Sequence, residues 1–493
     1  MKILMAASEM SSLARTGGLG DVIDALPVAL TEAGHEVSVV LPLYRGIREN
    51  TALQLRETGV RFFVRVGERT VEARVWETLD AHGTQVFLIQ RDESFDRSAI
   101  YGFGGKAYED NAERFIFFSK AVVELARRME PAPDVIHVHD WQTALVPLLV
   151  KDWALPLKTV LTIHNLAYQG SFSYDDFRFT NLPDSYFSAT GVEFFGNMNL
   201  LKAGMLFADA VTTVSEPYLH EIRSPAGGCG LDAVIREQSG KFLGILNGAD
   251  YRTWNPATDG FIQDHYSASN LDGKKRCREA LLNAMKLDSN PRGPVFGMVS
   301  RLAEQKGFDI LFPLLDRLLS DDVRLVILGE GDPAYEAELR YHMLKHRGKF
   351  AFRKEFDAGL SHLIEAGSDV TLFPSRFEPC GLTAIYGLKY GTLPVARAVG
   401  GLTQIIRDYD PLSKDGWGFL FDAYQTEALW DAIKRARFLY QDPATWGQLV
   451  QRAMTQDFSW KQAASQYTDL YRKLLPEPAA PILTKLANST VRK

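Results

Sequence analysis

Three ionisable side chains in the second half of the chain have residue types and positions that could bind a charged ligand. Arg301 and Lys306 flank the loop of the segment SRLAEQKG (300–307), and Glu378 lies in the segment SRFEPCGL (375–382). Arginine offers phosphate oxygens a fork of hydrogen-bond donors, and lysine offers a mobile positive charge. The two cations therefore predict a diphosphate site, with a solvated charged surface as the alternative.

The residues after Glu378 open a helical pattern. Cys380, Gly381, Leu382 and Thr383 stand at its start, where unpaired backbone N–H groups would bind an anion. A carboxylate beside an anion suits another part of the same ligand, such as sugar hydroxyls. A simple helix cap is the alternative role for Glu378. No cysteine lies near Cys380 in the sequence, which disfavours a redox role.

A glycine-rich turn near the N-terminus predicts a second anion site. The stretch SSLARTGGLGDVIDALPVAL (11–30) contains Arg15, Gly17, Gly18, Gly20 and Asp21. The glycines allow close approach to a ligand, and the apolar residues after them recur at helical spacing from about Asp21. A turn without a ligand is the alternative. The spacing differs from the dinucleotide pattern G-x-G-x-x-G, which disfavours a dehydrogenase.

Two further strand ends carry polar residues. In VIHVHDWQ (135–142), His137 and His139 alternate on one strand face and Asp140 ends the strand. Binding of substrate hydroxyls is favoured there over a polar strand end or a metal pair, because no third ligand is close in sequence. His164 ends the next strand in TIHNLAYQG (162–170), where catalytic and structural roles are equally plausible.

The elements that must position these residues are short apolar runs alternating with helical patterns. Continuous hydrophobicity indicates parallel strands covered on both faces, and the alternation predicts two doubly wound α/β domains. The predicted strands are KILMAA (2–7), VSVVLP (37–42), QVFLIQ (85–90), VIHVHD (135–140), TVLTIH (159–164), AVTTVS (210–215), FLGILNG (242–248), VFGMVSRL (295–302), VRLVILGEG (323–331), VTLFPS (370–375) and LPVARAV (393–399).

The 493 residues are too many for one ordinary core. We predict one domain over 1–247, which contains the glycine-rich turn, and a second over 248–455. A helix over 456–475 would cross back to the first domain, before a proline-rich tail over 476–493. Ligands of such sheets bind at the carboxyl ends of the strands, here around one shared cleft.

Composition limits the class of protein. The chain is 46% hydrophobic and 24% charged, with a net charge of −6, so neither nucleic acid nor a membrane is expected as a partner. No apolar run approaches the roughly 20 residues of a membrane span, and no signal peptide is evident. Three cysteines are too few for a disulfide framework, which favours the cytoplasm.

Together these segments closely resemble the bacterial glycogen synthase and plant starch synthase family, over about residues 1 to 475. The motifs that carry the resemblance are RTGGLGDV (15–22), HVHDWQ (137–142), TIHNLAYQG (162–170), NGAD (247–250), SRLAEQKG (300–307) and SRFEPCGLTAIYGLKYGTLPVA (375–396). The resemblance implies a GT-B glycosyltransferase with two Rossmann-like domains facing a deep cleft. It also implies transfer of glucose from ADP-glucose to an α-1,4-glucan with retention, without a metal or other cofactor.

The resemblance also implies that the first domain, 1–247, binds the acceptor and that the second, 248–455, binds the nucleotide sugar, and it assigns residues. It implies catalytic roles for His164, Arg301, Lys306 and Glu378, and acceptor binding by Glu9, Asp21 and Asp140. Donor binding would fall to Arg15, Gly17, Gly18, Asn247, Phe356, Cys380, Gly381, Leu382 and Thr383. The family usually has lysine where Arg15 stands. The alternatives are a related transferase that uses UDP-glucose and a non-catalytic protein that binds glucan or nucleotide sugar.

Overall fold

Two open sheets organise the chain. The computed structural model describes residues 1–103, 106–354 and 357–475. Within them, a nine-stranded sheet belongs to the first half of the sequence and a six-stranded sheet to the second, with small sheets of three and two strands beside the first.

The strands of the first half are β1 (Lys2–Ala6), β2 (Glu36–Pro42), β3 (Arg56–Val66), β4 (Arg69–Leu79), β5 (Gln85–Gln90), β6 (Gly102–Phe103), β7 (Lys106–Ala107), β8 (Val135–His139), β9 (Lys158–Ile163), β10 (Ser171–Phe172), β11 (Glu193–Phe194), β12 (Asn197–Asn199), β13 (Ala210–Thr213) and β14 (Phe242–Gly244). Its helices are α1 (Gly18–Glu32), α2 (Arg45–Glu49), α3 (Asp92–Phe95), α4 (Asn111–Ala126), α5 (Val146–Asp152), α6 (Tyr174–Phe177), α7 (Leu200–Phe207), α8 (Glu216–Ile222) and α9 (Asp232–Glu237), with 3-10 turns at Arg178–Thr180, Asp184–Tyr186 and Ser239–Lys241.

The strands of the second half are β15 (Val295–Val299), β16 (Arg324–Leu328), β17 (Phe350–Arg353), β18 (Val370–Phe373), β19 (Leu393–Arg397) and β20 (Phe419–Phe421). Its helices are α10 (Asp272–Ala284), α11 (Phe308–Ser320), α12 (Pro333–Lys345), α13 (Ala358–Gly367), α14 (Leu382–Lys389), α15 (Gly401–Ile405), α16 (Thr426–Tyr440), α17 (Pro443–Met454) and α18 (Trp460–Leu474), with a 3-10 turn at Glu304–Lys306.

The first sheet has the order β14-β13-β9-β8-β1-β2-β5-β4-β3. From β14 to β5 neighbouring strands run parallel, and Met5 of β1 pairs with both Val39 and His137. Strands β3 and β4 run antiparallel at the edge and were missing from the sequence prediction. The reason is their alternating burial: Phe62 and Val64 are buried while Phe63 is exposed, as in a strand with one solvated face.

The second sheet has the order β17-β16-β15-β18-β19-β20 and is parallel throughout. Counted from β15, this is the doubly wound order 3-2-1-4-5-6, whose direction reverses between β15 and β18. The parallel part of the first sheet reverses in the same way between β1 and β8. Ligands of such sheets bind at these reversal points, so each half offers one predicted place for a site.

Helix α18 returns to the first half. Tyr467 and Tyr471 are fully buried in the core of the first sheet. The two segments that cross between the halves lie side by side, because Ala249 N donates to the Phe458 carbonyl at 2.7 Å. The domain limits after residues 247 and 455 stay predictions, and both lie beside this crossing. The predicted tail over 476–493 lies outside the described residues.

Among the described helices, none has both the length and the apolar character needed to cross a membrane.

Candidate active site

The predicted residues gather at the two reversal points. In the first sheet, the chain after β1 forms the glycine-rich turn, β8 leads to Asp140, and β9 leads to His164. In the second sheet, β15 leads to Arg301 and Lys306, and β18 leads to Glu378. Residues that are far apart in sequence are therefore close in space, because the strands that precede them are adjacent in the sheet.

Lys306 and Glu378 form an ion pair. The Lys306 ammonium lies 2.6 Å from Glu378 Oε2, and the Ser375 hydroxyl donates to the same oxygen at 3.1 Å. Their side chains are only 18% and 10% exposed. Gly307, with a φ of 75°, ends the turn that carries Lys306 and starts α11. The pair places a fixed positive charge and a carboxylate together in a largely desolvated position.

The start of α14 lies beside this pair. Gly381 precedes the helix in the left-handed conformation, with a φ of 94°, and Leu382 and Thr383 are the first helical residues. Backbone N–H groups in the first turn of a helix have no acceptor within the helix, and those of Leu382 and Thr383 belong to that turn. Glu378 does not cap the helix, because its carboxylate bonds Lys306 and Ser375. A small cavity joins these groups, lined by Ser300, Lys306, Ser375, Glu378, Gly381, Leu382 and Thr383 among others.

The glycine-rich turn faces the start of α14. Helix α1 begins at Gly18 with Gly17 as its N-cap, earlier than the predicted start near Asp21. A Cβ on Gly18 would lie 3.7 Å from Leu382 Cδ1, and one on Gly17 would meet nothing within 4 Å. Two helix N-termini therefore approach each other across the cleft. Gly20 has a packing role, since its Cβ would lie 2.8 Å from the Ser11 hydroxyl.

Glu9 holds the glycine-rich turn in place through hydrogen bonds to its carboxylate. Its carboxylate accepts hydrogen bonds from Thr16 N at 2.6 Å, Gly17 N at 2.8 Å and the Tyr101 hydroxyl at 2.6 Å. The residue is buried. Its predicted contact with the acceptor stays a prediction, and the visible role of the carboxylate is to hold the turn. Tyr101 was missed by sequence reasoning, because a single tyrosine outside any motif gives no signal.

Arg15 and Asp21 pair within the same turn. The Arg15 guanidinium lies 2.9 Å from Asp21 Oδ2, and Ser11 donates to Asp21 Oδ1 at 2.9 Å. Burial raises the pKa of Asp21, while the Arg15 charge opposes that rise. The ion pair orders the turn. The donor contact predicted for Arg15 and the acceptor contact predicted for Asp21 stay predictions.

His164 and Asp140 are coupled at the ends of β9 and β8. Asp140, in the left-handed conformation with a φ of 56°, accepts a hydrogen bond from His164 N at 2.7 Å. His164 Nε2 lies 3.0 Å from His139 Nδ1. Burial raises the pKa of Asp140 to about 7 and lowers the pKa of His164 to about 3. At neutral pH the imidazole is therefore uncharged, and the carboxyl is close to its midpoint.

His137 belongs to the core. Its Nε2 bonds the Thr162 hydroxyl at 2.6 Å and its Nδ1 bonds the Tyr471 hydroxyl at 2.8 Å. Both ring nitrogens are engaged, so neither offers a metal a free lone pair. The metal alternative for His137 and His139 gains no support from the described residues.

Three further predicted positions, Arg301, Asn247 and Cys380, differ in their exposure. Arg301 is exposed and donates to the Tyr168 hydroxyl of the other half at 3.1 Å. The Asn247 backbone bonds the buried thiol of Cys380, and burial raises the pKa of that thiol to about 12. The Cys380 thiol is therefore uncharged and packed in the interior, and the donor contacts predicted for Asn247 and Cys380 stay predictions. Tyr168 was missed although it lies within the quoted segment TIHNLAYQG. Phe356 lies outside the described residues.

Comparison with known proteins agrees with this geometry. A family model described as starch synthase catalytic domain matches residues 2–237, and one described as glycosyl transferases group 1 matches residues 283–448. A glycogen synthase of Opitutus terrae is 43% identical over 96% of this chain and 100% of its own length. Glycogen synthase 2 of Geobacter sulfurreducens is 41% identical over 96% and 98%.

The chain belongs to the glycogen and starch synthase family. The family prediction from the sequence motifs is thereby confirmed. The catalytic domain of starch synthase IV from Arabidopsis thaliana, bound to ADP and acarbose, superposes with a TM-score of 0.89 at 33% identity, covering 96% of this chain and 98% of that one.

A more distant structure supports the fold alone. Sucrose-phosphate synthase from Thermosynechococcus elongatus is 18% identical, with a TM-score of 0.60 over 96% of this chain and 98% of that one. The two facing sheets of this family member form the GT-B glycosyltransferase fold, as the sequence predicted.

Proposed function

We propose that this protein is a glycogen synthase that transfers glucose from ADP-glucose to the non-reducing end of an α-1,4-glucan, with retention of configuration. The observation that carries the proposal is the Lys306–Glu378 ion pair at the start of α14, facing the glycine-rich turn. The likeness to a starch synthase bound to ADP and acarbose supports the choice of donor and acceptor.

The donor diphosphate would lie between the two helix N-termini. Lys306, Arg301 and the N–H groups that open α14 follow the ends of the neighbouring strands β15 and β18, at the same edge of the second sheet. When the bond from the sugar to the diphosphate breaks, negative charge grows on the departing ADP. Fixed cations and backbone donors stabilise that charge in the transition state. The N-terminus of α1 would contribute from the opposite side through Gly17 and Gly18.

The glucosyl ring would lie between Glu378, which follows β18 of the second sheet, and the polar side chains at the strand ends of the first sheet. We assign Glu378 to its hydroxyls and the uncharged His164 to a hydrogen bond at the reacting sugar. Asp140 is assigned to the acceptor. The acceptor hydroxyl attacks the anomeric carbon on the face from which ADP departs, and a phosphate oxygen takes its proton. The new glycosidic bond then has the configuration of the old one, and the scheme needs no metal or cofactor.

A donor panel tests this assignment. The protein is given glycogen with ADP-glucose or UDP-glucose, and nucleotide release and glucan elongation are measured together. We expect elongation with ADP-glucose, and proton NMR of the new linkages should show the α configuration. Faster elongation with UDP-glucose would overturn the assignment of ADP-glucose as the donor. Binding of both nucleotide sugar and glycogen without elongation would show that the protein is a non-catalytic binding protein.

Lys306→Ala tests the site itself. The substitution removes the cation at the diphosphate and leaves the Glu378 carboxylate without its charged partner, so kcat should fall about 100- to 1,000-fold. The matched control is Lys434→Ala, because Lys434 also pairs with a carboxylate but is 53% exposed, where such pairs contribute little. Near-normal turnover of a folded Lys306→Ala variant would contradict the assignment.

A further inference from the structure

We infer that helices α11 and α12 bind a divalent transition-metal ion, with Zn²⁺ as the best match, through Asp316, His342 and His346. The site lies on the second domain, apart from the cleft, and is independent of the transfer reaction proposed above. Its ion would join two neighbouring helices that are otherwise held by packing and side-chain contacts.

The three side chains already lie at nearly the spacing of metal ligands. Asp316 Oδ1 is 2.7 Å from His346 Nε2 and 3.5 Å from His342 Nδ1. One ligand atom from each residue lies within 4.8 Å of the others. A tetrahedral zinc ion with bonds of about 2.0 Å places its ligands about 3.3 Å apart. The Asp316–His342 distance is already close to this value, and the Asp316–His346 hydrogen bond would have to lengthen by about 0.6 Å to admit an ion.

Local structure explains why these residues meet. His342 and His346 stand four positions apart on α12 and so share a helix face. Their rings are nearly parallel, with an interplanar angle of 7° and centroids 6.1 Å apart. Asp316 approaches from α11, which packs beside α12. Two imidazoles and a carboxylate form a ligand set that zinc accepts, with water at the fourth position.

The orientation of His342 is the second, independent observation. The Glu338 carboxylate lies 3.3 Å from His342 Nε2, which favours the tautomer protonated at Nε2. The side chain is only 7% exposed, and its Nδ1 is buried without a hydrogen-bond partner among the described residues. A buried lone pair thus points at the Asp316 carboxylate, as in the carboxylate–histidine–metal arrangement.

Lys345 sets the limits of this site. Its ammonium lies 2.5 Å from Asp316 Oδ2, so only Oδ1 remains for an ion. This contact fixes the carboxylate but places a positive charge nearby, which lowers affinity. The Asp316 side chain is 52% exposed, so an ion can enter from solvent. We therefore expect moderate affinity for a single ion.

The site is separated from the catalytic groups along α11. The helix begins at Phe308, directly after the turn that holds Lys306. Asp316 lies about 12 Å further along the axis, at 1.5 Å per residue. An ion there would stabilise the second domain without touching the donor. Transfer activity at low temperature should not require it.

The test uses full-length protein freed of metal with a chelator, in a Cys229→Ser background because Cys229 is an exposed thiol. Zn²⁺ is titrated by calorimetry, and Co²⁺ reports tetrahedral geometry through its visible absorption. We expect saturable binding of one equivalent and a Tm raised by a few degrees. His346→Gln or Asp316→Asn should abolish that equivalent, and Glu338→Ala should weaken binding about tenfold.

His220→Gln is the matched control. His220 also faces a carboxylate one helical turn away, Glu216 at 3.4 Å, but no third ligand is grouped with it among the described residues. This variant should bind Zn²⁺ as the parent does. Each variant must match the parent Tm in chelator, which shows that it is folded. Absence of stoichiometric binding in the parent, or binding unchanged by His346→Gln, would overturn the site.

Discussion

Burial sets the charge of the side chains at the end of β8 and β9. His164 is uncharged at neutral pH because burial lowers its pKa to about 3. It can therefore give or accept a hydrogen bond beside a sugar without adding a charge. Asp140 differs, because burial raises its pKa to about 7. Its charge then changes within the range in which the protein would be assayed.

Asp140→Asn should separate charge from shape at this position. The parent pKa is raised from about 3.8, so the protonated form stabilises the fold at low pH, and this contribution is lost as pH rises through about 7. If the carboxylate accepts a hydrogen bond from the glucan, kcat/KM should rise with pH through about 7. The variant should be 10- to 100-fold slower and lack this rise.

The stability of the same variant provides the control. Asparagine tolerates the left-handed backbone at this position and keeps an oxygen for His164 N. Above pH 7 it should unfold at or above the Tm of the parent, since it carries no buried charge. A pH profile identical to that of the parent would show that another group titrates.

Sequence reasoning found the residues that follow buried strands and missed those whose role depends on tertiary contact. Lys306, Glu378 and His164 stand at strand ends, where topology alone predicts a ligand. Tyr101 and Tyr168 act through contacts with Glu9 and Arg301, which lie far away in sequence. Acceptor binding by Glu9, which the resemblance implies, stays a prediction, and the hydrogen bonds of its carboxylate to the turn and to Tyr101 appear only in three dimensions.

At the scale of elements, the start of α14 carries the strictest backbone requirement of the site. Gly381 adopts a φ of 94°, and a Cβ there would lie 2.8 Å from Leu402 Cδ2. Only glycine meets both conditions without strain. The position of the first helical turn, and hence of its N–H groups, depends on this residue.

Gly381→Ala should therefore cost stability and activity together. The left-handed backbone alone costs about 1–2 kcal/mol for alanine, and the contact with Leu402 adds to it. Displacement of the first turn should raise KM for the donor. Chemical denaturation and donor titration measure the two effects.

Gly447→Ala is the matched control for that substitution. Gly447 lies inside α17 with nothing within 4 Å of its Cβ position, so alanine should stabilise the helix by about 0.5–1 kcal/mol. Equal effects of the two substitutions would show that backbone geometry at Gly381 is not what matters.

The elements themselves were predictable where hydrophobicity is continuous. QVFLIQ (85–90) was predicted with the bounds that β5 has, whereas FLGILNG (242–248) forms a strand only over Phe242–Gly244. Strands β3 and β4 were not predicted, because their charged, alternating pattern has no continuous apolar run. Strands β17 and β20 are short and carry too few residues for a period to show.

At the scale of the whole molecule, the two halves are tied on one side of the cleft. The Ser215 hydroxyl donates to the Pro379 carbonyl at 2.7 Å, and Gly400 N donates to Glu221 Oε1 at 2.7 Å. Both contacts flank the segment that carries Glu378. Contacts from Ser215 and Glu221 therefore hold the segment that carries Glu378 against the first half.

Helix α18 makes the first half dependent on the end of the chain, and two truncations test this. Ending the chain at residue 455 removes Tyr467 and Tyr471 from the first core and leaves His137 Nδ1 without its partner. Each buried aromatic lost costs about 3–5 kcal/mol, against a total stability of about 5–15 kcal/mol. Hydrogen exchange should therefore show β1, β8 and β9 unprotected, while β15 to β18 stay protected.

Ending the chain at residue 475 keeps α18 and should preserve protection and glucan elongation. If the shorter chain still protects β8, the first half folds without α18, and the helix only covers a completed core.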